Sequence, residues 1–177
     1  MYHSSLGEFN LIVSTFRFRE EDAQDEILEL LDKFGDQAAE SEIIEIKGMI
    51  LVQSSLDPIA VIDKLKELVA SEPWQVRYVL RVLPVQVVVP TRLDTIIEAA
   101  RDLIKKMGND TFRITVEKRH NSLGSMQIVK AIADQISNKV DLENPCWVIL
   151  VQVLGGLTGV SVLRPHQIFS SVVEKRK

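Results

Sequence analysis

WVILVQVLGGLTGVSVL (147–163) is the stretch that decides the fold of the second half of this 177-residue chain. Residues 147–154 are apolar on both alternating faces, which is typical of a central strand buried on both sides. Gly155-Gly156 then fits a two-residue hairpin turn, since glycine adopts the backbone angles that such turns require. The stretch therefore predicts two paired strands, 147–154 and 157–163, in the middle of a sheet.

The residues before this hairpin predict a mixed α/β unit. Residues 92–107 carry an apolar stripe at helical spacing, and residues 126–138 carry another. Between them, apolar and polar residues alternate over 112–117, which predicts a strand. This alternation places Arg113 on the face opposite the apolar set, and Arg119 as well if the strand extends that far.

The first half predicts a second α/β unit of a different kind. Strands are predicted at 9–16, 41–46, 49–54 and 77–83, with helices at 20–34 and after Asp57-Pro58. The resulting β-α-β-β-α-β order is that of ferredoxin-like folds. The fold class is therefore α/β, in the α+β sense, for the chain as a whole.

The domain boundary is predicted where Pro84 and Pro90 bracket the sequence VQVVV. A central strand should not run through proline, because proline cannot donate a hydrogen bond to a neighbouring strand. We therefore predict an N-terminal domain at 1–84 and a C-terminal domain at 85–177. No Gly/Ser-rich linker separates them, so the two are expected to pack against each other.

Composition and charge narrow the classes of function. Hydrophobic residues make up 46% of the chain, but no run approaches 18 apolar residues, so we expect no membrane association. A single cysteine, Cys146, and no recognisable secretory signal predict a cytoplasmic protein. Residues 1–90 hold 8 Lys/Arg against 16 Asp/Glu, whereas residues 91–177 hold 13 against 9. The second half is therefore better suited to a polyanionic partner.

The C-terminal domain resembles the THUMP domain, a small module found in several tRNA-modifying proteins. The resemblance is carried by FRITVEKRHNS (112–122), IVKAIADQI (128–136), VDLENP (140–145) and the hairpin at 147–163. The acidic first half resembles the ferredoxin-like domain that commonly precedes THUMP. Because no GxGxxG, P-loop or CxxC motif is present, the chain resembles the tRNA acetylation adaptors, the branch without a catalytic domain.

This resemblance implies a non-catalytic protein that binds tRNA, chiefly at its acceptor end, and presents it to a separate RNA cytidine acetyltransferase forming N4-acetylcytidine. It implies no catalytic residue, cofactor, metal or DNA partner. One alternative is a tRNA-binding subunit for another modifying enzyme, such as a thiolation or methylation catalyst. Another is an enzyme or small-molecule regulatory protein that uses the ferredoxin-like half.

The residues predicted to bind RNA are those whose side chains suit phosphate groups. Arginine can clasp a phosphate with two hydrogen bonds, whereas lysine acts as a point charge. The predicted set is Arg113, Lys118, Arg119, Asn121, Ser122, Lys130, Arg101, Lys105 and Lys106. Lys118 and Arg119 occupy the position that matches the family. We expect Cys146 to be a packed thiol, and Trp74 and Trp147 to be core or domain-junction residues.

Overall fold

The computed structural model describes residues 6–177, which form two compact units. The N-terminal unit contains residues 6–85 together with Gln167–Lys177, and the C-terminal unit contains Gln86–His166. Each unit has its own hydrophobic core. None of the helices described is both long and apolar enough to cross a membrane.

The N-terminal unit has the predicted β-α-β-β-α-β order. Its elements are β1 (Leu11–Ser14), α1 (Glu20–Lys33), β2 (Glu40–Ile43), β3 (Met49–Gln53), α2 (Pro58–Ser71) and β4 (Arg81–Pro84), with a 3-10 turn at Pro73–Gln75. These strands lie in the order β2-β3-β1-β4, and all neighbours are antiparallel. The ferredoxin-like order is confirmed.

The last of these strands begins later than predicted because the residues directly before it are hydrogen-bonded to helix α1. The carboxylate of Glu26 on α1 accepts hydrogen bonds from the backbone N–H groups of Arg77, Tyr78 and Val79, at 2.7–3.0 Å. Those three donors cannot also pair with a neighbouring strand. Regular pairing therefore starts at Arg81, which lies opposite Ser14 of β1.

The chain after residue 166 contradicts the predicted domain limits. Residues 167–177 were expected in the C-terminal domain, but they complete the N-terminal unit through β9 (Phe169–Ser170) and α5 (Ser171–Lys175). β9 pairs antiparallel with β4, and the Phe169 ring is fully buried in the N-terminal core. A strand of two residues has no periodicity, so the sequence gives no sign of it.

The C-terminal unit is a four-stranded mixed sheet with two helices against one face. Its elements are β5 (Val87–Pro90), α3 (Leu93–Leu103), which continues as a 3-10 turn at Ile104–Met107, β6 (Phe112–Arg119), α4 (Ser125–Ala133), β7 (Trp147–Leu154) and β8 (Leu157–Leu163). The strand order is β5-β8-β7-β6. The predicted central hairpin is confirmed residue for residue, and β7 is buried along its whole length.

The segment between the two prolines forms an edge strand. The sequence predicted a junction there, whereas residues 87–90 pair with β8 at one side of the sheet. Proline is tolerated at that position, because one side of an edge strand needs no hydrogen-bond donor. The C-terminal unit therefore begins at Gln86, close to the predicted boundary.

Strand direction sorts the loops of the C-terminal unit into two groups. β6 runs parallel to β7, and β8 runs antiparallel to both β7 and β5. β5, β6 and β7 therefore end at the same edge of the sheet, here called the carboxyl edge, at Pro90, Arg119 and Leu154. The opposite edge, where β6 and β7 begin, is called the amino edge. At about 3.3 Å per residue, the eight residues of β6 separate the two edges by roughly 25 Å.

Candidate nucleic-acid interface

The nine predicted RNA-binding residues do not form one patch. Lys118, Arg119, Asn121 and Ser122 lie together at the carboxyl edge, because β6 ends there. The rest lie elsewhere: Arg113 at the amino end of β6, Arg101, Lys105 and Lys106 at the end of α3 and in the turn after it, and Lys130 on the exposed side of α4. α3 starts beside the carboxyl edge and runs away from it, so its terminal cations are carried toward the amino edge.

A pocket of about 440 Å³ opens at the carboxyl edge. It is lined by residues of the three loops that follow β5, β6 and β7: Pro90, Thr91, Arg92, His120, Asn121, Ser122, Gly155 and Gly156. Asn121 and Ser122 were predicted as binding residues, whereas Arg92 was not. The apolar spacing of 92–107 places Arg92 at the start of a predicted helix. Only the shared direction of β5 and β6 reveals that it faces the loop after β6.

Backbone and side-chain hydrogen bonds hold the three loops of the pocket together. The Asn121 side-chain amide donates to the Gly155 carbonyl at 3.0 Å, and the Gly155 N–H donates to the Arg119 carbonyl at 2.9 Å. The Thr91 N–H donates to the Gly156 carbonyl at 3.0 Å. The Thr91 and Thr158 hydroxyls lie 2.8 Å apart. Asn121 and Thr91 therefore position the loops of the pocket, which is set before any ligand arrives.

Arg119 has internal partners of its own. Its guanidinium donates to the Gln152 side-chain oxygen at 2.9 Å and to the Glu117 carboxylate at 2.8 Å. Only 23% of the Arg119 side chain is exposed, and Gln152 is buried. These residues lie on the sheet face opposite α3 and α4, as the alternation of β6 predicts. The role of Arg119 in RNA binding stays a prediction, since its charge is already partly neutralised.

The exposed polar residues at the carboxyl edge include Lys118, His120, Ser122 and Arg92, of which the last three line the pocket. Within residues 6–177, the first three make no side-chain hydrogen bond or ion pair. Arg92 binds the exposed Asp94 carboxylate at 3.1 and 3.3 Å, and this hydrogen bond lowers the pKa of Asp94 below its ordinary value. An exposed pair of this kind is weak, so a phosphate could compete for Arg92. The carboxyl edge therefore offers two cations, Arg92 in the pocket lining and Lys118 near the end of β6.

Lys106 packs against Trp147 at the amino edge. Its ammonium lies 5.8 Å from the centre of the Trp147 ring and donates to the Gln86 side chain at 3.3 Å. Burial lowers the pKa of Lys106. The Arg164 guanidinium covers the same indole at 3.6 Å, and the indole N–H donates to Asp110 at 3.1 Å. Lys106 is thus part of the packing around Trp147, which is buried as predicted.

Two packing predictions are wrong. Cys146 is exposed in the loop directly before β7, so its place beside a buried strand does not bury it. Trp74 is 65% exposed on the 3-10 turn before β4. In the described part of the chain, no three His, Cys, Asp or Glu side chains are grouped so that they could hold a metal ion.

The C-terminal unit is thus a mixed α/β module with a cationic pocket at one edge of its sheet. Residues 90–163 match the family model of the THUMP domain. The chain therefore contains a THUMP domain, as the motifs at 112–122 and 140–145 indicate. The matched residues lie inside the C-terminal unit and exclude the tail that the sequence had assigned to it.

Comparison with known proteins shows the same architecture. THUMP domain-containing protein 1 of Bos taurus is 24% identical over 115 residues, which is 59% of this chain and 32% of that protein. TrmN from Thermus thermophilus superimposes with a TM-score of 0.61 at 17% identity, covering 90% of this chain and 47% of TrmN. A 4-thiouridine synthetase in complex with RNA and ATP gives a TM-score of 0.58 at 14% identity, covering 89% and 42%. The chain spans about a third of the Bos taurus relative and under half of each of the two solved structures. The two solved structures share its fold.

Proposed function

We propose that this chain is a non-catalytic tRNA-binding adaptor that presents tRNA to a separate RNA cytidine acetyltransferase for N4-acetylcytidine formation. THUMP domain proteins bind tRNA and work in tRNA modification. The observation that carries the proposal is the carboxyl-edge pocket of this THUMP domain, with Arg92 in its lining and Lys118 exposed at the same edge of the sheet. The adaptor role is supported by the resemblance to the acetylation adaptors.

The pocket suits the single-stranded acceptor end of tRNA better than a duplex. Its volume of about 440 Å³ falls in the range of sites for small ligands, roughly 300–1,000 Å³. Unpaired nucleotides can enter such a space, whereas a double helix can only lie across its rim. Because hydrogen bonds already fix the three loops, little ordering is needed when RNA binds.

The test is a salt titration of tRNA binding with two charge-matched variants. Arg92→Ala/Lys118→Ala removes two cations from the carboxyl edge, and Arg101→Ala/Lys105→Ala removes two exposed cations from the end of α3. The first variant should bind tRNA more weakly, and its salt dependence, log K against log [salt], should be shallower by about 1.5. The second should bind almost as the unaltered chain does. Equal losses of tRNA affinity in both variants would contradict the proposal that the pocket is the RNA-binding site.

The acceptor end and the catalytic partner are tested separately. A tRNA lacking its 3′ single-stranded end should bind more weakly than the intact tRNA, and a DNA duplex more weakly than either. The chain alone, given tRNA and acetyl-CoA, should form no N4-acetylcytidine, and adding the acetyltransferase should restore it. If the chain binds tRNA but co-purifies with a thiolation or methylation enzyme, the alternative tRNA-binding role is correct.

A further inference from the structure

The loop between β1 and α1 exposes two aromatic rings next to arginines. Its sequence is Phe16-Arg17-Phe18-Arg19, and all four residues are exposed. Phe16 is 52% exposed and Phe18 is 82% exposed, the highest value among the exposed large hydrophobic residues described. Neither ring contributes to the N-terminal core. Two exposed rings only two residues apart make this turn a candidate interaction surface, since grouped apolar side chains on a surface often mark binding sites.

The loop is a fixed turn. The Arg19 N–H donates to the Phe16 carbonyl at 3.1 Å, which closes the turn. Phe18 has a φ of +70°, a left-handed conformation that is strained for a residue with a side chain. Strain of this kind persists only where the surroundings enforce it, and it is concentrated at functional sites.

The Glu20 side chain holds this strained turn in its conformation. One of its carboxylate oxygens accepts hydrogen bonds from the N–H groups of Phe18, at 3.3 Å, and Gly48, at 3.0 Å. Gly48 in turn accepts a hydrogen bond from the Thr15 N–H at 2.9 Å, directly before the turn. A side chain at Gly48 would meet the Thr15 carbonyl oxygen at 2.8 Å, so only glycine fits there. The Phe18 ring is therefore held outward by contacts on both sides of the turn.

Two arginines lie beside the rings and can bind an anionic ligand, although Glu20, Glu21 and Asp22 follow them in the first turn of α1. Arg17 makes no hydrogen bond or ion pair within residues 6–177, and Arg19 pairs with the exposed Asp22 at 3.2 Å. The Glu20 carboxylate keeps its negative charge, because backbone N–H groups, including that of Gly48, and the nearby charge of Arg17 lower its pKa; exposed Glu21 follows it. Opening an exposed Arg–Asp pair costs little. The turn can thus direct one or two guanidinium groups at the same ligand as its rings.

We propose that this turn is a second RNA contact, which stacks Phe18, with Phe16, on an unpaired base and binds the adjacent phosphate through Arg17. Aromatic faces accept any base, and arginine binds phosphate oxygens with paired donors. The contact would add affinity with little sequence preference. This proposal rests on the proposed tRNA-binding function, but it concerns a separate site on the N-terminal unit.

The test uses the full chain with intact tRNA and a 12-nucleotide oligoadenylate as probes. Phe16→Leu/Phe18→Leu keeps apolar bulk and removes both rings, and it should weaken binding of each probe about tenfold. Phe18→Trp should retain binding, and its indole fluorescence should be quenched when the oligonucleotide binds. Val172→Ala/Val173→Ala, which trims two half-exposed apolar residues of α5, is the matched control and should leave both affinities unchanged.

The outcomes separate this proposal from the first one. If the leucine variant binds both probes like the unaltered chain while Arg92→Ala/Lys118→Ala does not, the second contact is overturned and the pocket stands. If the leucine variant keeps RNA binding but loses acetyltransferase binding, the turn is a protein contact and the proposal is wrong. If the unaltered chain binds neither probe, both proposals fail.

Discussion

Asn121 and Gly155 lie on different loops and are joined by a 3.0 Å hydrogen bond from the side-chain amide to the backbone carbonyl. The same Asn121 side chain accepts a hydrogen bond from the Leu123 N–H at 2.8 Å. One side chain thus sets the distance between the loop after β6 and the turn after β7. Since both loops line the pocket, its width depends on this residue.

Asn121→Ala should widen the pocket and weaken tRNA binding. The loss of two hydrogen bonds should lower the free energy of unfolding by about 1–2 kcal/mol. Asn138→Ala is a matched control, because Asn138 donates to the Gly108 and Asp110 carbonyls at the amino edge, at 2.9 and 2.8 Å. The Asn138→Ala variant should lose as much stability in urea unfolding as the Asn121→Ala variant and should keep its tRNA affinity. Equal affinity losses would contradict the positioning role.

Lys118→Ala and Arg119→Ala should differ although the residues are neighbours. Lys118 is exposed without a hydrogen bond within residues 6–177, so its loss should reduce tRNA affinity and leave stability unchanged. Arg119 binds Glu117 and the buried Gln152, and its removal should lower the free energy of unfolding by about 1–3 kcal/mol. Thermal unfolding and tRNA titration on both variants check this. An unchanged melting temperature for Arg119→Ala would show that these partners contribute nothing.

Phe169→Ala should destabilise the N-terminal unit. The ring is fully buried, and removing such a ring costs about 3–5 kcal/mol through lost burial and the cavity it leaves. Amide hydrogen exchange should be faster at residues 81–83 of β4, because β9 pairs with this strand. Phe16→Ala, at a half-exposed ring in the same unit, should cost far less. Unchanged amide exchange at residues 81–83 in the Phe169→Ala variant would contradict this role of Phe169.

Asp36 should make the N-terminal unit sensitive to acid. Burial opposes its ionisation, but hydrogen bonds from Ser54, at 2.6 Å, and the Ser55 N–H, at 2.8 Å, outweigh burial and hold the pKa of Asp36 below its ordinary value. A lowered folded-state pKa stabilises the protein above the unfolded-state pKa, and this stabilisation is lost as the pH falls through the folded-state value. Asp36→Asn should therefore lose more stability at pH 6 than at pH 3.

Denaturant titrations at the two pH values check this difference. Asp32→Asn serves as the control, because Asp32 is an exposed residue of α1 with no side-chain hydrogen bond among the described residues. It should change the free energy of unfolding little at either pH. If Asp36→Asn lowers the free energy of unfolding equally at pH 3 and pH 6, folding does not favour the ionised form of Asp36.

Periodicity was enough to predict the long elements. β7 and β8 were predicted to the residue, because a fully apolar run and a Gly-Gly turn leave few other arrangements. The order of the N-terminal elements and the Asp57 cap of α2, which accepts from the Ile59 N–H at 3.0 Å, were also readable. β9 was not, because its two residues gain their structure only by pairing with β4.

The sequence predicted only the part of the candidate site that belongs to one continuous segment. Lys118 to Ser122 are consecutive in sequence, so locating the end of β6 also located them. Arg92 could not be found this way, since its nearness to Asn121 depends on the direction of β5, which is set by pairing with β8. By charge alone, Lys106 is a suitable residue to bind phosphate. Its packing on Trp147 could not be predicted, because that contact depends on the tertiary fold.

The tail that ends in α5 makes the THUMP domain an insertion. Residues 6–85 form most of one unit, the chain then builds the whole C-terminal unit, and Gln167–Lys177 return to finish the first. On the ribosome, β4 therefore emerges long before its partner β9. Until Phe169 appears, the nascent N-terminal unit has an unpaired strand edge and an unfilled core position, so a chain stalled after residue 163 would be open to aggregation and proteolysis.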